Sequence, residues 1–192
     1  TEAVLFAARD GCSECNDALI DGGADPNFAN PKNVTPLVMA LDNAHMDAAR
    51  VLIEAGANVD KWDWWGRSPL WTAVDQNRIP AGGRADRRTP DATLPIDIIG
   101  MLLERGAKTD IQDERHGSTA LIWAAGREHA DIVKALLAHG AKPDIVDKAG
   151  RTALMIAAAP LCAQEEGDGD PEEETEEAED RPLLGTFIQQ PQ

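Results

Sequence analysis

The sequence is short of several things that particular functions require. No stretch of its 192 residues holds about eighteen apolar residues in a row, so no membrane-spanning helix is expected. The opening "TEAVLFAARDG" has neither the basic head nor the long apolar stretch of a signal peptide. Three cysteines do not build a disulfide framework in a chain of this length. Cys12 and Cys15 form a CxxC, but with no second CxxC and no HxxxH elsewhere it falls short of the four ligands of a structural zinc site. Lys and Arg number 18 against 34 Asp and Glu, which disfavours nucleic acid as a partner, because phosphate neutralisation needs a basic surplus. No glycine-rich phosphate loop follows a strand pattern, and no nucleophile, base and orienting group come together as acyl transfer requires. No catalytic residue, cofactor or metal is therefore expected.

What is present suffices for an ordered scaffold, since 43% of the residues are hydrophobic. The net charge of −16 is unevenly placed: from Glu165 to Arg181, eleven acidic residues and one basic residue carry −10 of it, leaving −6 for the rest. That segment is self-repelling and of low complexity, so 161–192 reads as an acidic, disordered tail. Its last part, "RPLLGTFIQQPQ", regains the apolar character of a docking peptide or of a lead-in to a further domain. A start at Thr1 leaves upstream processing open; the cytoplasm is favoured, with export after loss of a leader as the alternative.

One phrase recurs: "GADPN" from Gly23, "GANVD" from Gly56, "GAKTD" from Gly106 and "GAKPD" from Gly140, at spacings of 33, 50 and 34. A second follows each: "TPLVMA" from Thr35, "SPLWTA" from Ser68, "TALIWA" from Thr119 and "TALMIA" from Thr152. Thr or Ser suits an N-cap, where its hydroxyl takes an orphan backbone N–H, and Pro at the next position lacks a donor the helix does not need there. A polar break leads to a second apolar-periodic stretch, such as "DAARVLIEAG" or "DIVKALLAHG", closed by a glycine at a left-handed C-cap. The unit is helix, turn, helix, then an excursion of roughly ten residues. One such pair cannot bury its apolar face alone, whereas stacked pairs can.

The 33-residue period, the Thr-Pro-Leu helix start and the closing Gly-Ala-Asp phrase resemble the ankyrin-repeat family over about residues 2 to 160. The resemblance implies an all-α solenoid of about four and a half repeats: 2–27 truncated, 28–60, 61–110, 111–144 and an incomplete 145–160. It also implies β-turn fingers that form a concave surface with the first helices. The family's usual His after Thr-Pro-Leu is replaced by Val38, Trp71, Ile122 and Met155, so apolar packing must substitute for the hydrogen bonds of that His.

Register places a 17-residue excess at 78–94, between the helices of the third repeat. Its four arginines, Arg78, Arg84, Arg87 and Arg88, make it either a solvated loop or a partner-binding one. Cys15 aligns with Ala48, a buried second-helix position, and is expected in the core. His45 and His129 share one repeat position and are expected to make local hydrogen bonds; His139 sits near a helix C-terminus.

Four of five tryptophans fall between 60 and 71. Trp64 and Trp65 belong near a finger tip, where a tip offers little core to fill, and Trp is the side chain most enriched at interface hot spots. Trp62 either folds back over neighbouring fingers or joins them. Trp71 is expected to be packed and Trp123 to lie on the concave side. The family's variable positions carry over to Phe6, Arg9 and Asp10; Met39, Asp42 and Asn43; Thr72, Asp75 and Gln76; Trp123 and Arg127; and Ile156. Lys32, Arg115, His116 and Lys148 join the two tryptophans at the tips. The implied function is a non-catalytic scaffold, expected to be monomeric, that binds a protein or peptide. The alternative is a regulatory or targeting module of a larger enzyme whose catalytic domain is not in this chain.

Overall fold

Hydroxyl side chains start four of the helices. In the computed structural model, which describes residues 2–77 and 91–159, Thr35, Ser68, Thr119 and Thr152 are extended N-caps whose side chains accept from Val38, Trp71, Ile122 and Met155 N–H at 3.2 to 3.3 Å. The described residues form nine helices and no strand: α1 (Ala3–Asp10), α2 (Ser13–Asp21), α3 (Pro36–Asp42), α4 (Met46–Glu54), α5 (Pro69–Gln76), α6 (Pro95–Glu104), α7 (Ala120–Gly126), α8 (Ala130–Ala138) and α9 (Ala153–Ala158). The acidic tail and the four arginines of the insertion lie outside the described residues. Gly23, Gly56, Gly106 and Gly140 each end a second helix with φ between 78° and 88°, a backbone region that side chains with a Cβ rarely adopt.

The odd-numbered helices pack in one series and the even-numbered ones, α2, α4, α6 and α8, in another. Leu37, Leu52, Leu70, Ile98, Leu102, Leu121 and Leu136 are fully or almost fully buried between them. Val38, Trp71 and Ile122 are buried, so aliphatic and aromatic packing does occupy the histidine position, while Met155 in the last described helix is exposed. A polar ladder accompanies the apolar one. The side-chain oxygens of Asn27, Asp60 and Asp110 accept from the backbone N–H of Asn58, Lys108 and Lys142, each in the following repeat, at 2.6 to 3.0 Å. Each of these bonds ties the start of one finger to the helix end of the next unit.

The end of the insertion is held rather than solvated. Asp47, in the first turn of α4, accepts from the N–H of Ala92 and Thr93 and from the Thr93 hydroxyl, while Asp91 accepts from Met46 N–H at 2.8 Å. Leu94 then caps α6, its N–H donating to Asp97.

Two expectations are corrected here. Cys15 is exposed and is joined to Cys12 by a disulfide, with Cα atoms 5.2 Å apart. Its counterparts Ala48, Ile98 and Ile132 are buried because α4, α6 and α8 each have a second helix before them, whereas α2 is the first of that series. His129 does not hydrogen-bond through Nε2, which is buried without a partner among the described residues, and its side chain does not cap α8. His139 Nδ1 lies 2.9 Å from Ala135 O at the α8 C-terminus.

Asn16 is fully buried with neither side-chain amide atom bonded, at a position occupied by Ala49 and Ile99 in the next units. An unsatisfied buried amide costs about 1–3 kcal/mol. Asn16→Ala is therefore expected to stabilise the chain by about 1 kcal/mol, raising the calorimetric Tm by about 3 °C. A lowered Tm would show that the amide is satisfied in solution.

Burial pushes the carboxyl of Asp47 up, but the Thr93 hydroxyl and the two N–H donors outweigh it and hold its pKa below the usual value. Asp147 is likewise raised by burial and lowered further by Arg151 and the Ala149 N–H. A folded-state pKa below the unfolded one contributes stability that is complete above about pH 4 and is lost as pH falls through the folded value. Thermal melts from neutral to acidic pH should lose Tm below about pH 4, and the loss should be smaller in Asp47→Asn and Asp147→Asn.

Candidate functional site

The fingers are turns closed on a single acidic or amide residue. Asp63 N–H donates to Arg67 O, and Asp147 N–H to Arg151 O, spanning four residues; in the longer fourth finger Asp113 N–H reaches Ser118 O, spanning five. The carboxylate then turns inward. Asp63, 1% exposed, accepts from the N–H of Trp65 and Arg67 and from the Arg67 guanidinium at 2.7 to 3.0 Å. Arg67 also donates to Asp42 at 3.0 Å. Burial pulls the Arg67 pKa down, yet its two aspartates overcome this and hold it above the usual value. Fingers are also joined to one another: Glu114 N–H donates to Trp65 O, Lys148 N–H to His116 O, and Asn33 Nδ2 to Trp62 O.

On this braced turn stand three exposed tryptophans: Trp62 is 51% exposed, Trp64 48% and Trp65 41%. Trp62 does not fold back out of solvent. The Trp64 and Trp65 rings lie 4.1 Å apart at 31°. Arg67 covers one face of Trp65 at 4.4 Å, and the Lys32 ammonium stands 5.5 Å from Trp64. Such cation–π contacts restrict both rings without removing them from solvent.

A second aromatic group sits where the first helices meet the fourth finger. Trp123, half-buried, donates its indole N–H to Asp75 at 3.0 Å, and Arg127 donates to the same oxygen at 2.8 Å while covering the Trp123 ring at 4.7 Å. Buried Trp71 lies 5.0 Å to one side, and the His116 ring stacks 5.8 Å away.

The remaining anticipated positions divide. Met39 and Asn43 are half-buried neighbours on α3, the amide of Asn43 donating to Met39 O. Phe6 is exposed under Arg9, which pairs with Asp10. Arg115 and His116 are exposed on the fourth finger, His116 Nδ1 standing 3.3 Å from Asp113, and Ile156 is half-buried on α9. Thr72 and Gln76 are buried: the Thr72 hydroxyl turns back to Ser68 O, and the Gln76 amide reaches Asp42 O across to α3. Both lie within the scaffold, at 1% and 7% exposure. The bracing pair Asp63 and Arg67 had not been singled out, though the shared pattern of "DWWGR" and "DKAGR" marks it. Among the described residues no group of three or more His, Cys, Asp or Glu could hold a metal ion, and no helix is long and apolar enough to cross a membrane. A separate apolar groove of about 580 Å³ lies between α8 and α9, lined by Leu121, Val133, Leu137 and Leu154 among others.

Stacked helix pairs carrying turn-shaped fingers define a helical repeat protein. A family model described as ankyrin repeats (3 copies) matches residues 4–81 and 93–164, with most of the insertion in the gap, and the chain belongs to the ankyrin-repeat family. It is 37% identical to human neurogenic locus notch homolog protein 4 over 113 residues, 54% of this chain and 5% of that protein. It is 30% identical to the mouse B-cell lymphoma 3 protein homolog over 130 residues, 65% of this chain and 25% of the relative. It is also 37% identical to rat cyclin-dependent kinase 4 inhibitor B over 67 residues, 34% of this chain and 52% of that protein. The chain thus spans no more than about half the length of these relatives.

Removing the brace tests the site directly. Asp63→Ala strands two N–H groups and leaves the mostly buried guanidinium of Arg67 with Asp42 alone, and is expected to cost about 3 kcal/mol in chemical denaturation. It should also shift the tryptophan emission of the native protein, since Trp65 loses its backbone anchor. An unchanged denaturation midpoint would remove Asp63 from the scaffold of the finger.

Proposed function

We propose that this chain is a non-catalytic interaction module that binds a protein or peptide across its concave face and finger tips. Trp64, Trp65 and Trp123 are the anchors, with Met39, Asp42, Asn43, Asp75, Arg127, Arg115 and His116 around them. The observation that carries this is the close, half-exposed pair Trp64–Trp65 on a turn whose backbone is tied down by a buried aspartate. Burying such rings on association releases a large apolar area, and little ordering entropy is lost, because cation–π contacts and finger bonds have already restricted them. The ankyrin-repeat relatives favour a protein partner; the name of one states that it inhibits a protein kinase. We retain the repeat division 2–27, 28–60, 61–110, 111–144 and 145–160 as part of the proposal, with the ligand crossing the second to fourth units.

A pull-down with wild type and with Trp64→Ala/Trp65→Ala, both checked for folding by circular dichroism, tests the assignment. Loss of capture by the folded variant is the expected result. Equal capture by both would move the binding surface away from the finger tips.

A further inference from the structure

We propose that the row of finger tips is a docking ridge for an acidic peptide segment. The inference rests on the binding role argued above and names the chemistry of the partner. In a chain of net charge −16, the tips run against the overall balance. The residues at the successive tips are Lys32, then Trp64 and Trp65, then Arg115 and His116, then Lys148, and all six are exposed. The inversion has a structural cause. The finger aspartates Asp63, Asp113 and Asp147 are between 1% and 5% exposed and are consumed by backbone N–H groups and by Arg67, His116 and Arg151. The field outside is left to the outward cations.

Lys32 and Arg115 have no carboxylate partner among the described residues, and the Lys32 ammonium stands against the Trp64 ring. Lys148 is already engaged, its ammonium donating to Glu114 O. Glu114 is the one exposed carboxylate among the tip residues, beside Gly66. The ridge therefore offers two cations that have no carboxylate partner among the described residues, on either side of a half-exposed pair of tryptophan rings. An extended segment that alternates carboxylates with proline or aliphatic side chains matches it: the apolar groups cover the rings, and the carboxylates meet Lys32 and Arg115. Single-stranded nucleic acid also combines stacking with negative charge. The acidic surroundings disfavour a uniformly charged phosphate chain over a few carboxylates.

The test is fluorescence anisotropy of a short labelled peptide alternating glutamate with proline and leucine, alongside its glutamine and lysine counterparts and a labelled oligothymidylate. The glutamate peptide is expected to bind about tenfold more tightly than the glutamine one at about 50 mM salt, with the gap narrowing at about 300 mM. Lys32→Glu/Arg115→Glu, which alters two exposed side chains and leaves the fold intact, should abolish the difference. Trp64→Ala/Trp65→Ala should weaken both peptides. Equal or tighter binding of the glutamine or lysine peptide overturns the acidic assignment while leaving the peptide-binding role standing. Tighter binding of the oligothymidylate transfers the ridge to nucleic acid, and no binding of any probe removes it. Unchanged lysate capture by the tryptophan variant sinks the underlying role separately.

Discussion

Apolar contact between consecutive helix pairs is the constraint on which everything else in this chain depends. No pair encloses its own core: Leu52 of α4 or Ile98 of α6 disappears from water because a neighbouring pair covers it. The hydroxyl N-caps and left-handed glycines make each pair the same shape, and sameness is what lets one lie flush on the next. The ladder from Asn27, Asp60 and Asp110 then removes the remaining freedom to slide, since each acceptor meets one particular N–H of the following unit.

The candidate site is a by-product of that regularity. Stacking brings the fingers side by side, and each finger must hide the polar backbone of a tight turn. It does so with an inward carboxylate or, in the first finger, the Asn30 amide, and in two fingers an arginine four residues on completes the arrangement. The backbone cost is thus met from inside, and the turn does not need the ring of a tip tryptophan to close. Trp64 and Trp65 occupy tip positions of that kind; Trp123 does not, being tied to Asp75 and flanked by Trp71, Arg127 and His116. Its indole is both part of the scaffold and part of the surface.

Features repeated along the chain were legible in the sequence. The phrases at Thr35, Ser68, Thr119 and Thr152 gave the helix starts, and Gly56, Gly106 and Gly140 the helix ends, because local chemistry at each is decided within a few residues. Features that depend on place in the array were not. Cys15 reads as a core position by register and is exposed, since register is blind to whether a preceding helix exists. Thr72 and Gln76 read as variable surface positions, but the α5 helix turns their polar groups toward Ser68 O and Asp42 O. The orphan nitrogen of His129 and the clamp of Asp47 on Ala92 and Thr93 join parts of the chain whose meeting no repeat pattern announces.

Burial at equivalent positions changes toward the two ends of the described array. Leu137 is 45% exposed where Ile53 and Leu103 are 0% and 4%, just as Cys15 is exposed where Ala48 is not. An interior unit is held by two interfaces and a terminal one by a single interface, so the array behaves as a one-dimensional chain of coupled switches. Opening should then travel inward from the ends, as a zipper does. Trp64 and Trp65, set between interior units of the described array, sit in the stretch that opens last.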